Sequence, residues 1–197
     1  MGLTIHYSGR FNEKANLQEM IDEVRDIVEI NKWNYHIYET QFPKNGLGKE
    51  NYNQEIYGIS FSPPECEPVW LTFLSNGKMS SPVHLKLWSK SQNEEEKKYL
   101  YQLFTKTQYA GAQIHKIIIH ILKHINKKYL SDFKMYDEGS YWETGDEKLL
   151  DEIFQRYNQM LDSFSNALQT IPIKEGESIE DFIVRVAKKA NRRSKKK

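Results

Sequence analysis

Three histidines that could bind a metal or transfer a proton lie on one predicted helix near the middle of the chain. His120 and His124 are four residues apart, about 40° around the helix axis, and His115 lies on the opposite edge of the apolar face. An i, i+4 histidine pair can chelate zinc, but the zinc-protease pattern needs glutamate where this chain has Ile121. Two interpretations stay open: metal or acid–base chemistry at His120, or histidines that only cap the core edge.

Carboxylates and aromatic rings follow this helix in the segment Asp-Glu-Gly-Ser-Tyr-Trp-Glu, residues 137–143. Glu138 and Glu143 are candidate catalytic partners of His120, while Asp137 is a candidate ligand contact. Trp142 could stack on a ring-shaped ligand. The alternative is that Trp142 packs the loop down and the acids stay in solvent ahead of the next helix.

Polar residues also precede the histidine helix, in the segment Lys-Thr-Gln-Tyr-Ala, residues 106–110. Lys106, Gln108 and Tyr109 are candidate ligand contacts, since an inward-facing lysine would hold an anion or neutralise the acidic segment. Facing outward, they would be ordinary surface residues. His6 lies on the first predicted strand and faces either the core or a cleft, because alternate strand residues point to opposite faces.

The only cysteine, Cys66, excludes a disulfide within the chain and a thiolate-rich metal site. It lies between Glu65 and Glu67, whose charges raise a thiol pKa and disfavour a nucleophilic role. This proline-bounded loop could border the same cleft as the polar residues above. Phosphate-binding glycine loops and a nucleophile elbow are absent, so the sequence names no reaction, metal or cofactor, and does not decide whether the protein is an enzyme.

Periodicity predicts the elements that would position these groups. Residues 3–8 alternate as in a strand, residues 16–30 have helical spacing with Asn16 as N-cap, and residues 33–38 read as a second strand. This order favours a crossover unit. Further strands are predicted over residues 55–62, 69–74 and 83–88, with an Asn-Gly turn between the last two.

The second half of the chain is predicted to be helical. Helices are expected over residues 99–129, with a break near Gly111, and over residues 144–168 and 179–187. The predicted fold is therefore α+β, with a mixed sheet of about five strands formed mostly by the N-terminal half. That sheet would pack against the long central helix and the C-terminal helices. We expect one α+β domain over residues 1–170, and a short amphipathic helix with a basic tail over residues 171–197.

Composition and charge limit the partners. The 197 residues are 39% hydrophobic and 28% charged, as in globular proteins, and contain neither a membrane-spanning run nor a signal-peptide pattern. We therefore expect a cytoplasmic location and no membrane partner. Residues 188–197 carry seven positive charges, which leaves the preceding body at −6. Such a tail could touch nucleic acid, but we expect no basic, aromatic surface on the body that would make nucleic acid the main ligand.

Three segments together resemble the marker segments of an uncharacterised bacterial protein family: Met-Gly-Leu-Thr-Ile-His-Tyr-Ser at residues 1–8, and the two segments at 106–110 and 137–143. The similarity extends over most of residues 1–165. No activity comes with the family. What the resemblance implies is that its matching polar residues share one cleft: His6, Lys106, Gln108, Tyr109, His120, Asp137, Glu138 and Glu143.

Two functions follow as hypotheses. In the first, a polar and aromatic cleft binds or processes a small polar ligand, with metal assistance left open. In the second, the protein is an interaction module, such as an accessory or immunity-type partner, which would expose an apolar patch and have only shallow clefts. A weaker third hypothesis is nucleic-acid association through the basic tail.

Overall fold

The computed structural model describes residues 2–194, and the side chains as far as Lys189. Three lysines of the predicted basic tail, Lys195 to Lys197, lie outside the described residues, as does Met1. The elements in chain order are β1 (Thr4–Phe11), α1 (Leu17–Ile30), β2 (Asn34–Ile37), β3 (Tyr57–Ser62), β4 (Val69–Phe73), α2 (Pro82–Trp88), α3 (Glu94–Tyr99), β5 (Leu103–Lys106), α4 (Gly111–Tyr129), β6 (Leu130–Asp137), α5 (Tyr141–Thr144), α6 (Glu147–Thr170) and α7 (Ile179–Ser194).

The fold is α+β, as predicted, but its strands form two antiparallel sheets of three strands each. The prediction of one mixed sheet of about five strands was wrong. In the first sheet β1 lies between β5 and β6, and in the second sheet β3 lies between β2 and β4. The predicted crossover does not form, because β1 and β2 pair with different neighbours and so belong to different sheets.

The predicted strand over residues 83–88 is the helix α2 instead. Pro82 occupies its first turn, where a missing N–H costs nothing, and the Ser81 hydroxyl accepts a hydrogen bond from the backbone of His84. The Asn-Gly turn before it does form: the Gly77 amide donates to Leu74, and the returning chain makes a single antiparallel bridge between Met79 and Phe73. The helix cap ends the hairpin there.

The strands β5 and β6 lie in regions where the sequence analysis predicted no strand. The segment expected to begin the long helix contains β5, and α4 begins only at Gly111, whose φ of +84° suits glycine. Lys106 is therefore the last residue of a strand and not part of a helix. Following α4, residues 130–137 form β6, which leads directly into the acidic segment.

The helices α1 and α4 cover the sheets. α1 packs on β2 and β3, α4 packs on β6, and the two helices touch one another. Burial follows the helical spacing expected from the sequence. The buried apolar residues of α1 are Leu17, Met20, Ile21, Val24 and Val28, and those of α4 include Ile118, Ile119, Ile121, Leu122 and Ile125.

The chain forms two compact units, residues 1–147 and 148–197. In the second unit α7 packs Phe182 and Val186 against Ala167 and Ile171, and Phe164 joins this small core. This division groups α6 with the C-terminal helix, whereas the sequence grouped it with the first domain. Among the described residues, no helix combines the length and apolarity that membrane crossing requires.

The cap of α1 gives a test of the fold. The Asn16 side chain accepts hydrogen bonds from the backbone amides of Gln18 and Glu19. Asn16→Ala leaves those donors without the side-chain acceptor, and we expect it to lower the free energy of unfolding by about 1 kcal/mol in urea denaturation. Asn16→Asp retains an acceptor and should match the wild type within a few tenths of a kcal/mol. Equal losses in both variants would contradict the capping role.

Candidate functional site

The outer face of the first sheet carries a row of three aromatic rings. β1 pairs His6 with Phe104 of β5 on one side and with Tyr136 of β6 on the other. The ring centroids are 6.4 Å apart for His6 and Phe104 and 6.0 Å apart for His6 and Tyr136. All three rings are accessible: the His6 side chain is 47% exposed, Phe104 46% and Tyr136 63%. We call this set the ring row.

A cleft of about 380 Å³ lies beside the ring row at the start of β1. Glu138 projects into it, accepting a hydrogen bond from the Thr4 amide at 2.9 Å through Oε2, while its Oε1 lies 3.8 Å from His6 Nε2. On the other side Glu67 accepts from the backbone amide of Lys106 at 3.0 Å. The cleft therefore combines two carboxylates with a lysine and an imidazole, and its lining residues are Gly2, Thr4, His6, Glu67, Phe104, Lys106 and Glu138.

Gln108 is held behind the same cleft wall. It is almost fully buried, and its Oε1 makes no hydrogen bond to the described residues. A Cβ added to Gly2 would lie 2.3 Å from this oxygen and 2.4 Å from Lys106 Cε, so only glycine lets both side chains approach the backbone there. A buried amide oxygen without a donor costs about 1–3 kcal/mol, and this oxygen, like the Thr107 hydroxyl, is closed off from solvent.

Asp137 is buried below the outer face and is fully engaged. Its Oδ1 accepts from the Gly139 amide at 2.7 Å, and its Oδ2 accepts from the amides of Tyr141 and Trp142 at 2.8 and 3.0 Å. His115 Nε2 lies 3.0 Å from Oδ1, with both side chains inaccessible to solvent. Burial alone would raise the pKa of Asp137, but His115 and the amides of Trp142 and Gly139 outweigh it and lower the pKa below its usual value.

His115 connects this carboxylate to the start of β1. Its Nδ1 lies 2.7 Å from Thr107 Oγ1, and the Thr107 amide donates to the Leu3 carbonyl at 2.9 Å. A hydroxyl, an imidazole and a carboxylate in sequence have the connectivity of a hydrolase triad. Here all three groups are buried, so the Thr107 hydroxyl has no access to a substrate. The network instead fixes the ends of β5 and β6 against β1.

The two helix histidines that could have chelated a metal as a pair, the predicted site residue His120 and its neighbour His124, have separate partners. His120 Nε2 lies 3.2 Å from the Tyr141 hydroxyl, and His124 Nε2 lies 2.9 Å from a carboxylate oxygen of Glu23. Glu138 contacts His6, so the two members of the predicted acid–base pair, His120 and Glu138, contact different groups. Within residues 2–194, no group of three His, Cys, Asp or Glu side chains is arranged to hold a metal ion.

The remaining predicted site residues lie in several environments. Glu143 is exposed on α5, and Tyr109 is exposed in the turn before α4. Trp142 packs its ring 5.7 Å from that of Phe133, with Lys123 Nζ 5.4 Å above it. The structure thus brings His6, Lys106 and Glu138 together in the cleft, with Gln108 directly behind, while the roles of the other predicted residues stay predictions.

Cys66 has a thiol unsuited to nucleophilic chemistry. Burial, together with the charge of Glu67, raises the pKa of the Cys66 thiol to about 12. Its Sγ donates to the Lys106 carbonyl at 3.5 Å, which ties this loop to the end of β5. Glu67 is held at the cleft by its own bonds to Lys106, since its amide donates to the same carbonyl at 3.2 Å.

Sequence reasoning missed Phe104 and Tyr136, the outer rings of the ring row. Their neighbours Lys134 on β6 and Arg10 on β1 were missed as well. We expected no basic, aromatic surface on the body that would make nucleic acid the main ligand, and that expectation stays a prediction. The first sheet does bring cations and rings together from residues that are far apart in sequence. The spacing of Tyr136 and Lys134 two residues apart was the available signal, since it places both on one face of a strand.

Comparisons with known protein families, with curated proteins and with solved structures found no match to this chain. The resemblance to an uncharacterised bacterial family therefore stays a prediction.

Asp137 gives a prediction with a defined pH dependence. Because its pKa is lower in the folded than in the unfolded protein, its stabilising effect is present above about pH 4 and is lost as the pH falls through the folded pKa. We expect Asp137→Asn to lower the free energy of unfolding by about 2–4 kcal/mol at neutral pH. The difference from the wild type should shrink in acid.

The measurement is urea denaturation at a series of pH values, with Glu138→Gln as the matched control. Glu138 is partly exposed and a glutamine can still accept from the Thr4 amide, so this variant should stay close to the wild type. A loss from Asp137→Asn that is small, or independent of pH, would exclude the buried carboxylate as a structural anchor.

Proposed function

We propose that this protein binds a small, planar, polar ligand on the ring row, with the ligand's polar edge in the adjoining cleft. The observation that carries the proposal is the cross-strand alignment of three accessible rings, Phe104, His6 and Tyr136. Aligned exposed rings on a rigid sheet offer a stacking platform, and exposed apolar surface with a polar rim is typical of binding sites. The strands hold the platform in place before a ligand arrives.

The cleft supplies groups that would orient such a ligand. Lys106 offers a cation for an anionic or carbonyl group, and the carboxylates of Glu67 and Glu138 accept hydrogen bonds from ligand N–H groups. A ligand with ring N–H or amino groups along one edge and a negative group beyond it would match this arrangement.

The same geometry supports binding more than processing. His6 Nε2 and Glu138 Oε1 are 3.8 Å apart, which is beyond hydrogen-bond distance, and both side chains are accessible to solvent. The two nucleophile candidates nearby are unsuitable, because the Thr107 hydroxyl is buried and the Cys66 thiol has a raised pKa. We therefore propose a ligand-binding protein and assign no reaction to it.

The test is an NMR titration with nicotinate and with the four ribonucleoside monophosphates, following the ring signals of Phe104, His6 and Tyr136. We expect at least one probe to shift all three, and Tyr136→Ala to weaken its binding about fivefold through loss of one ring contact. Tyr99→Ala, which removes an exposed tyrosine outside the ring row, should leave binding unchanged. Shifts confined to other regions, or none with any probe, would contradict the proposal.

A second candidate function, a protein-interaction module, is favoured by an observation in the second unit. The helix α7 exposes Ile179, Ile183 and Val184 while its other side packs on the small core. Exposed apolar residues grouped on one helix are typical of a surface that docks on another protein. This hypothesis makes no use of the ring row.

Affinity capture with the wild type and the Ile183→Asp variant tests this second function. A partner that is retained by the wild type and by Tyr136→Ala, but lost with Ile183→Asp, would support the interaction module. The exposed position of Ile183 should allow the substitution without unfolding, which circular dichroism would check. If Ile183→Asp captures the same proteins as the wild type, α7 is not the docking element.

A further inference from the structure

Three shallow depressions follow one another along the outer face of β1. The first is the cleft; the second, of about 240 Å³, includes His6, Ser8, Lys134 and Tyr136; the third, of about 260 Å³, includes Ser8, Arg10 and Lys134. His6 is shared by the first two, and Ser8 and Lys134 by the last two. The eight residues of β1 extend about 26 Å at the usual rise per residue. We call the continuous surface the groove.

The charge of the groove changes from one end to the other. The end away from the cleft contains the cations Arg10, Lys78 and Lys134 and a single acid, Asp132. Lys78 is placed there by a bridge with Arg10, which pairs the turn after β4 with the last part of β1. At the opposite end Lys106 faces two carboxylates. The ring row lies between a basic end and an acidic end.

We propose that the groove binds single-stranded nucleic acid, with one base stacked on the ring row and the following phosphates on Arg10, Lys78 and Lys134. The inference rests on the proposed function, because it names the class of ligand that the ring row stacks. Base stacking on exposed rings together with phosphate neutralisation by nearby cations is the usual basis of single-strand binding. A length of about 26 Å suits a short segment, near the low end of known site sizes.

The structure favours this ligand over a bound peptide strand or a duplex. A peptide that binds by strand addition needs a free edge, whereas β1 is paired with β5 and β6 on its two sides. A duplex keeps its bases stacked within the helix, so they cannot lie on the ring row. Of these three macromolecular ligands, the single strand is the one whose exposed bases can stack on the rings.

The acidic end gives the groove a base preference. Glu138 Oε2 is occupied by the Thr4 amide, but Oε1 faces the ring row near His6. A carboxylate there accepts a hydrogen bond from the exocyclic amino group of cytosine or adenine, whereas thymine lacks that amino group and offers only its ring N3–H as a donor. The same carboxylate repels phosphate, so the backbone should run toward Arg10. The groove is therefore expected to prefer oligo-dC to oligo-dT.

The experiment is fluorescence anisotropy of the full chain with labelled dC and dT oligonucleotides of one, two, four and eight nucleotides. Affinity should rise from one to four nucleotides, and dC should bind at least threefold more tightly than dT. Lys134→Ala should weaken binding several-fold and make the slope of log affinity against log salt shallower by about 0.7, the effect of one phosphate contact on a single strand. Lys127→Ala, an exposed lysine on α4, is the matched control and should change little.

The basic tail needs its own control, because it could bind nucleic acid alone. The full chain with Arg192, Arg193, Lys195, Lys196 and Lys197 all changed to glutamine should keep the dC preference and the effect of Tyr136→Ala. Two results together would overturn the proposal: oligonucleotide binding is lost in the tail variant, and neither Lys134→Ala nor Tyr136→Ala changes the affinity of the otherwise unchanged chain. Equal affinity for single strands and for the matching duplex would overturn it as well.

The outcome also separates this inference from the proposed function. If mononucleotides shift the ring row but longer oligonucleotides bind no more tightly, the ring row is a small-ligand site and the nucleic-acid inference is wrong. If no mononucleotide and no oligonucleotide affects the ring row, both the inference and the nucleotide form of the proposed function fail. Thermal unfolding of each variant shows whether a loss of binding reflects a loss of fold.

Discussion

The carboxylate of Asp137 is buried at the end of β6 and accepts hydrogen bonds from three backbone amides, while His115 lies within 3.0 Å. A carboxylate taken out of water is tolerated only when its lone pairs are filled, so the segment after β6 has to fold around it. Through His115 and Thr107 the same network reaches the Leu3 carbonyl. The positions of Glu138 and Lys106 in the cleft follow from this, since each is the neighbour of a residue that the network holds.

The central position of β1 gives the outer face its rigidity. Its inward residues Ile5 and Tyr7 are buried, and the Tyr7 hydroxyl accepts a hydrogen bond from the Trp70 amide of β4 at 2.8 Å. Burial raises the pKa of Tyr7 to about 12, so this phenol stays neutral and keeps the link between the sheets at any ordinary pH. The outward residues of the same strand, Thr4, His6 and Ser8, are then held on a platform that is paired on both sides. Ligand binding there would therefore cost little conformational entropy, because the protein groups are already ordered.

The elements that sequence reasoning predicted well are those whose signals are local. The helix α1 was predicted from its apolar spacing and Asn16 cap, and strands were correctly expected near β1, β3 and β4. The errors come from non-local pairing. β5 has only four residues, and nothing within it indicates that β1 will pair with it across about a hundred residues of chain. The sequence of α2 alternates as in a strand, but Ser81 and Pro82 begin a helix there, and capping outweighed the alternation.

In the candidate site, too, local features were predictable and features that depend on strand pairing were not. His6, Lys106 and Glu138 were named from residue type, and the structure brings them together. The ring row could not be predicted, because its members are adjacent only through the register of three strands from distant parts of the chain. A shift of one residue in that register would turn Phe104 and Tyr136 to the opposite face of the sheet. Net charge is uninformative for a related reason. The body has a net charge of −6, but the sheet still collects Arg10, Lys78 and Lys134 at one end of the groove. Because salt screens charges beyond about 8–10 Å, a phosphate in the groove would respond mainly to the charges that line it, which at this end are three cations and Asp132.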